Sequence, residues 1–179
     1  MINTPSKIDE SLFPLIAAGN CDAFKQLYYS TDKAVFGYIL SIVRNTHDAE
    51  DIMQDTYVKI RNSAEHYIPC GKPLAWIFTI AKNLCLSKLR KNSRTVSTDY
   101  DDLQEYAIPD FACDRLDNLV LKTALTILSE VDCQIVILHA VTGYKHSEIA
   151  KTLGIPLPTV LSKYSRSLAK LKKELREEV

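Results

Sequence analysis

The sequence predicts an all-α protein: two small helical domains joined by a flexible acidic linker, the C-terminal one containing a helix–turn–helix. Three observations lead there. Apolar residues recur at steps of three and four in the periodic segments, and no strand pair or hairpin signal competes with them. That periodicity lapses between Asn92 and Asp114, where acids collect. Finally, Ser147 to Val179 reads as a short helix, a turn at Gly154 and a longer second helix.

Taken in order, Asp22 to Arg44 carries Phe24, Leu27, Tyr28, Val35, Tyr38, Ile39 and Ile42 near helical spacing. Thr46 or His47 opens a second helix, whose first turn bears Asp48, Glu50 and Asp51, the charge sign that the N-terminal dipole favours. A third helix begins after Pro73, runs through Leu74, Ile77, Phe78, Ala81, Leu84, Cys85 and Leu89, and ends in the basic cluster Lys88 to Lys91. The domains expected are therefore residues 1–91 and 114–179, with 92–113 as an acidic linker. Fully extended, about 22 linker residues reach ~70 Å.

In the C-terminal domain Ser147-Glu148-Ile149-Ala150-Lys151-Thr152-Leu153 forms the first helix of the motif, and Ile155 to Pro158 starts the second. Gly154 supplies a turn that a residue without Cβ makes cheaply. Val160, Tyr164, Leu168, Leu171 and Leu175 form a stripe that must face a core. The opposite face carries Thr159, Lys163, Arg166, Lys170 and Lys173 and no acid. From Lys163 to Lys173 the cations span ~15 Å, enough to touch a major-groove edge and its flanking phosphates. A solvated lysine face is the plainer reading. Against it stand the turn glycine just before the stripe and the confinement of Glu174, Glu177 and Glu178 to the far end.

The bulk composition narrows the function classes. A chain of 179 residues with 46% hydrophobic and 25% charged content is an ordinary globular protein. No apolar run approaches the ~18 residues of a membrane span. The start, Met1 to Pro5, lacks the layout of a signal peptide, so a cytoplasmic protein without membrane insertion is expected. Cys21, Cys70, Cys85, Cys113 and Cys133 are scattered singly, which indicates neither a disulfide framework nor a thiolate metal site, and small buried side chains are expected for most of them. His47, His66, His139 and His146 show no ligand spacing, so no metal and no cofactor are expected. Net charge is zero, but unevenly spread: eleven Lys/Arg against nine Asp/Glu up to Lys91, two against seven from Asn92 to Asp117, and nine against six thereafter. Two mildly basic ends thus flank a strongly acidic segment. With five glycines, no phosphate-cradling loop and no nucleophile–base pair, an enzyme is not expected.

On the second long helix Ala49, Ile52, Met53, Thr56 and Ile60 point inward. Asp48, Asp51, Gln54, Asp55 and Val58 are left together outside. Such a face suits a dock for a basic protein surface, and equally a plain solvated acidic face. The loop His66 to Pro73, with Tyr67 and Lys72, leads into a helix on which Trp76, Thr79, Asn83, Ser87 and Arg90 lie away from the apolar stripe. An exposed aromatic, an amide and cations are materials for holding unstacked single-stranded bases. A lone Trp at a helix start is also a common core residue.

Taken together, the pieces resemble a known family. Leu15-Ile16-Ala17-Ala18-Gly19, Ala23-Phe24 with Leu27-Tyr28, Asp48-Ala49-Glu50-Asp51-Ile52-Met53-Gln54-Asp55-Thr56-Tyr57, Ala75-Trp76-Ile77-Phe78-Thr79-Ile80-Ala81-Lys82-Asn83-Leu84, and Glu148-Ile149-Ala150 with Leu153-Gly154-Ile155-Pro156 and Thr159-Val160 occur in the order seen in ECF-type bacterial sigma factors of the sigma-70 superfamily. The resemblance implies a two-domain initiation factor that joins core RNA polymerase and directs promoter recognition and melting. It implies that Asp48 to Asp55 docks on the polymerase clamp. Tyr67 to Arg90 would open the minus-ten element and hold a flipped base, with Tyr67, Trp76 and Asn83 at the matching positions and Lys72, Ser87 and Arg90 beside them. The terminal motif would read the minus-thirty-five element through Thr159, Ser162, Lys163, Arg166 and Lys170, and an anti-sigma factor would be a third partner.

The sequence departs from the family in three places. Leu128-Ser129-Glu130 stands where members usually have Leu-Pro-Glu, and Ser129 can cap the following helix instead. Lys145 stands where Ser or Thr commonly caps the first helix of the reading motif, which puts that cap in doubt. Leu161 replaces a cation. The rival readings are a stand-alone helix–turn–helix regulator with an N-terminal sensing or partner-binding domain, and a helical interaction protein with no nucleic-acid role.

Overall fold

The computed structural model describes residues 8–95 and 119–177. All regular structure among them is helical. The N-terminal half contains α1 (Leu12–Ala17), α2 (Cys21–Val43), α3 (Thr46–Ser63), a 3-10 turn (Ala64–His66) and α4 (Pro73–Thr95). The C-terminal half contains α5 (Leu119–Ile127), α6 (Glu130–Thr142), α7 (His146–Leu153) and α8 (Leu157–Glu177).

Helix boundaries follow local chemistry. The Asn20 side chain accepts from the amides of Asp22 and Ala23 and starts α2, and Asn45 does the same for Asp48 at the start of α3. Ser129 caps α6 through the Asp132 amide, at 3.4 Å, and Gly143 ends that helix in the left-handed region. At α7 the Lys145 side chain has no acceptor to offer; instead the Glu148 carboxylate reaches back to the Lys145 amide at 2.8 Å. Gly154 closes the helix at φ 70°, as the turn requires.

α2, α3 and α4 pack on one another, while α1 lies against α2, α3 and the 3-10 turn. α8 is the central element of the other half, touching α5, α6 and α7. The two halves also meet: α2 contacts α5 and α6, and α4 contacts α6. This contact explains two unusual stretches. Every residue from Val35 to Ile42 on α2, and from Cys133 to Leu138 on α6, is buried. A helix buried on all sides needs cover from more than one direction, and each of these helices receives it from its own half and from the other. The two helical units expected from sequence as separate bodies therefore share one hydrophobic core here.

Arg44 seals that junction. It ends α2 in the left-handed region at φ 53°, uncommon for a side chain with a Cβ. Its guanidinium donates to the carbonyls of Leu125 at 2.9 Å and Leu128 at 3.1 Å, at the C-terminal end of α5, where helix carbonyls lack partners.

Two expectations are corrected. α4 continues to Thr95, so residues 92–95, assigned to the linker, are helical; they contain no Pro or Gly to stop a helix already propagating. The rest of the expected linker, 96–113, and the start of the second domain at 114–118 lie outside the described residues. Cys85 and Cys133 are buried, and burial pushes both thiols up to about 12. Cys21 and Cys70, however, are exposed, so burial is not the general fate of the cysteines; Cys113 lies outside the described residues.

Candidate nucleic-acid and partner interfaces

Geometry of the α3 face comes directly from its inward stripe. Ala49, Ile52, Met53, Thr56 and Ile60 are all buried, joined by Tyr57, whose hydroxyl lies 2.7 Å from that of Thr31. Asp51, Gln54, Asp55 and Val58 are exposed, Val58 at 58%, and Asp48 is half-buried. Val58 thus stands as an apolar side chain among acids on the outer ridge of α3. Gln54 stands between two open grooves. One, of about 760 Å³, is lined by Phe24, Tyr28, Met53, Tyr57 and Val58, and the other, of about 380 Å³, by Asp51, Asp55, Ser87 and Lys88.

One participant was missed by sequence reasoning. Lys88 of α4 places Nζ 2.9 Å from Asp48 and 3.8 Å from Asp51, and the Asp48 hydrogen bond holds its ammonium above the usual lysine range. The acidic face is thus partly neutralised from α4, leaving Asp55 with Gln54 and Val58 as its outer edge. Lys88 was visible only as part of a basic cluster, because nothing local says which helix α4 packs beside.

Around the loop before α4 the aromatic expected to be exposed, Trp76, is half-buried, and its neighbour Tyr67 is buried. Tyr67 is 8% exposed, stacked on Phe13 of α1 with ring centroids 3.8 Å apart. Trp76 is packed edge-on against both, 5.4 Å from Phe13 and 5.2 Å from Tyr67. The reason is α1, which brings a fully buried Phe13 to a place where the sequence showed only open loop. The Tyr67 hydroxyl donates to Glu10 Oε1, and burial together with that bond raises its pKa well above the ordinary 10.0. Further along α4, Asn83, Ser87 and Arg90 are exposed on one face, as their spacing required.

Lys72 does not reach outward alone. Its Nζ lies 2.5 Å from Glu148 Oε1 on α7 and 5.6 Å from the Tyr144 ring centroid. Nearby, Lys82 donates to the Thr152 carbonyl, and burial lowers its pKa. Two lysines of the N-terminal half therefore grip the first helix of the terminal motif.

On α8 the stripe is divided as its periodicity demanded. Val160 and Leu171 are buried, with Tyr164, Leu168 and Leu175 half-buried. Ser162, Arg166, Lys170 and Lys173 are exposed, and Thr159 is half-buried. Lys163 sits at the edge of that face, its Nζ 2.8 Å from Asp132 of α6. Burial pushes the Asp132 carboxyl up, but hydrogen bonds from Lys163 and Ser129 outweigh it and hold the group below the usual range. Arg166 Nε donates to the Ser162 carbonyl at 3.3 Å, keeping the guanidinium along the outer face. Leu161, 48% exposed, leaves an apolar spot on the same surface. Behind it His139, His146 and Tyr164 pack their rings together, with the two imidazoles stacked at 4.4 Å.

Both halves of the chain match known protein families. Residues 27–95 match the family model of sigma-70 region 2, and residues 119–171 match that of sigma-70 region 4, together more than half of the chain. The chain is 28% identical over 165 residues to the ECF RNA polymerase sigma factor SigL of Mycobacterium tuberculosis, covering 90% of this chain and 93% of that protein. It is 25% identical over 182 residues to SigK of Mycobacterium ulcerans, covering 96% and 97%. Among solved structures, RpoE of Bartonella quintana, crystallised with the anti-sigma factor NepR, aligns at TM-score 0.57 and 25% identity over 86% of this chain and 96% of that one. CnrH, in complex with the cytosolic domain of CnrY, aligns at TM-score 0.57 and 23% identity, covering 96% and 99%, a likeness of fold.

Proposed function

The chain belongs to the ECF group of the sigma-70 family, and from that premise we propose how its surfaces divide the work of transcription initiation. It is a sigma factor, acting with core RNA polymerase on promoter DNA, and an anti-sigma factor is the third partner of such a protein. The observation that carries this is the match of both sigma regions, in order, on the two helical halves of one chain.

Residues 1–91 form the polymerase-docking and minus-ten domain, with α4 running on to Thr95. Residues 114–179 form the minus-thirty-five domain, and 96–113 the acidic connection. Asp48, Asp51, Gln54, Asp55 and Val58 meet polymerase, the outer edge at Gln54, Asp55 and Val58 making the first contact. Lys72, Asn83, Ser87 and Arg90 line the path of the opened minus-ten strand. Tyr67 and Trp76 support that path from beneath as the packed rings that hold its loop. Thr159, Ser162, Lys163, Arg166 and Lys170 face the minus-thirty-five major groove, phosphate contacts setting register and Arg166 reaching a base edge. The chain carries no catalysis of its own; the polymerase supplies it. Among the described residues no helix is long and apolar enough to cross a membrane, and the protein acts in the cytoplasm, where polymerase and promoters are.

Reconstituted transcription tests this reading. Core polymerase plus the chain is expected to yield promoter-dependent transcripts from native templates that core alone does not start. Tight, specific promoter binding by the free chain, with no effect on core polymerase, would instead select the stand-alone regulator.

A further inference from the structure

We infer that Glu10 is a positioning residue for promoter opening: it staples the loop before α4 into the shape in which that loop meets the displaced minus-ten strand. The inference rests on the proposed minus-ten role of this loop.

One carboxylate oxygen accepts two bonds. Glu10 Oε1 lies 2.7 Å from the Tyr67 hydroxyl and 2.7 Å from the Gly71 amide nitrogen. Between those two donors lie Ile68, Pro69 and Cys70, all exposed, Ile68 at 79%. Glu10 thus ties together both ends of a projecting three-residue tip. Gly71 can close this short span because it sits at φ 74°, a conformation that other residues rarely adopt.

The staple itself is held in place. Asp9 Oδ1 accepts from the Ser11 amide at 2.9 Å, and the Leu12 and Phe13 amides donate back to the Asp9 and Glu10 carbonyls. This turn launches α1, whose Phe13 lies stacked on Tyr67 and edge-on to Trp76. An open cleft of about 440 Å³, lined by Ile8, Asp9, Glu10, Gly71 and Pro73, runs beside the stapled base of the tip. A carboxylate pointed at nucleic acid would repel phosphate; here it is turned to two internal donors, so its contribution comes through the loop. Ordering a tip before it binds reduces the entropy lost on capturing a strand. Glu10 precedes the residues that match the region 2 model, which begin at residue 27, so the staple lies outside the matched core of that domain.

The full chain reconstituted with core polymerase tests the assignment, using Glu10→Ala, Glu10→Gln and, as a probe of the loop's surroundings, Asn83→Ala. The probe ligand is a single-stranded oligonucleotide carrying the non-template minus-ten sequence. Glu10→Ala is expected to weaken its capture about tenfold, as loss of charge-assisted bonds implies. Core polymerase affinity should stay unchanged. Glu10→Gln, whose amide oxygen can accept both bonds, should restore most of the capture. Trp76, the single tryptophan, reports the same event, its emission shifting in Glu10→Ala and staying near wild type in Glu10→Gln. Capture unchanged in Glu10→Ala but reduced in Asn83→Ala would overturn the staple and leave the minus-ten reading standing. Capture unchanged in both would overturn that reading and the staple with it. Equal loss of core affinity and capture in Glu10→Ala would reduce Glu10 to a fold residue and overturn the proposal.

Discussion

Lys72 and Glu148 meet at 2.5 Å across the junction of the two halves, so a cation proposed for minus-ten DNA is held by the first turn of α7, the helix that opens the terminal helix–turn–helix. Both side chains are about a third exposed, 34% and 38%, which limits such a pair to less than about 1 kcal/mol. A bond that weak is suited to being exchanged for phosphate. Glu148→Gln keeps an acceptor for the Lys145 amide while releasing Lys72, and is expected to raise the free chain's affinity for promoter DNA several-fold at low salt. Fluorescence anisotropy with labelled promoter measures it, and equal affinities would show that the pair does not compete with DNA.

The same pair carries a pH dependence. Hydrogen bonding to Lys72, then to the Lys145 amide, holds the Glu148 carboxyl below its ordinary 4.5. A depressed carboxylate stabilises the fold above its unfolded pKa, and that contribution disappears as pH falls through the lowered folded value. His146 acts in the same direction nearer neutrality. Burial, aided by the neighbouring His139, lowers its pKa from the ordinary 6.5, and its Nε2 has no hydrogen-bond partner among the described residues. The native state therefore binds fewer protons than the unfolded chain, and stability is lost as pH drops below about 6.5. His146→Phe keeps a ring against His139 and Tyr164. Thermal unfolding from pH 7.5 to 5 should show a shallower decline for this variant; parallel curves would refute the assignment to His146.

Arg44 offers a test of the junction. Removing its guanidinium strips two carbonyls at the end of α5 of a charged donor, and Arg44→Gln is expected to cost about 2 kcal/mol in urea unfolding. Arg44→Gly relaxes the left-handed backbone, offsetting about 1 kcal/mol of that loss. The glycine variant should thus be the more stable of the two, although less stable than wild type. The reverse order would show that the side chain, not the backbone, dominates the difference between them.

On the proposed docking ridge of α3, Val58→Asp replaces an exposed apolar side chain, so stability should change by less than about 0.5 kcal/mol. Core polymerase affinity should fall about tenfold or more if Val58 lies at the centre of the contact. Gln54→Ala should show a smaller loss in the same titration. Unchanged binding in both variants would remove this face from the polymerase interface.

On α8, the proposed reading helix, Arg166→Ala is expected to cost about 1–3 kcal/mol at the preferred minus-thirty-five site and to relax discrimination at one position. Lys163 behaves differently because Asp132 holds it. Asp132→Asn should release that lysine and strengthen binding to all sequences alike, with a steeper salt dependence. Competition binding against single-base variants of the site separates the two patterns. A uniform loss for Arg166→Ala would reassign it to phosphate.

Much of the architecture was legible because helical periodicity is a local property. The inward stripes of α3 and α8, the Ser129 cap and the turn at Gly154 each depend on residues within one or two turns, and all appear where their spacing put them. Trp76 shows the limit. Its place away from the apolar stripe suggested exposure, yet it is half-buried with Phe13 of α1 packed against it. Lys88 likewise read as one member of a basic cluster until packing set it against Asp48 and Asp51. Glu10 had no signal at all beyond being an acid before an apolar run.

What the chain's own order of residues determined was the set of helices, their apolar faces and the two sigma regions they belong to, because about 100° of rotation per residue decides which side chains share a face. What only the tertiary structure decided was which faces meet: α1 over the loop, Lys88 beside α3, and α2 against α5 and α6 with Arg44 at the seam. Those pairings join residues tens of positions apart. Their selection depends on how whole surfaces fit and bury one another, and no short stretch of sequence contains that information.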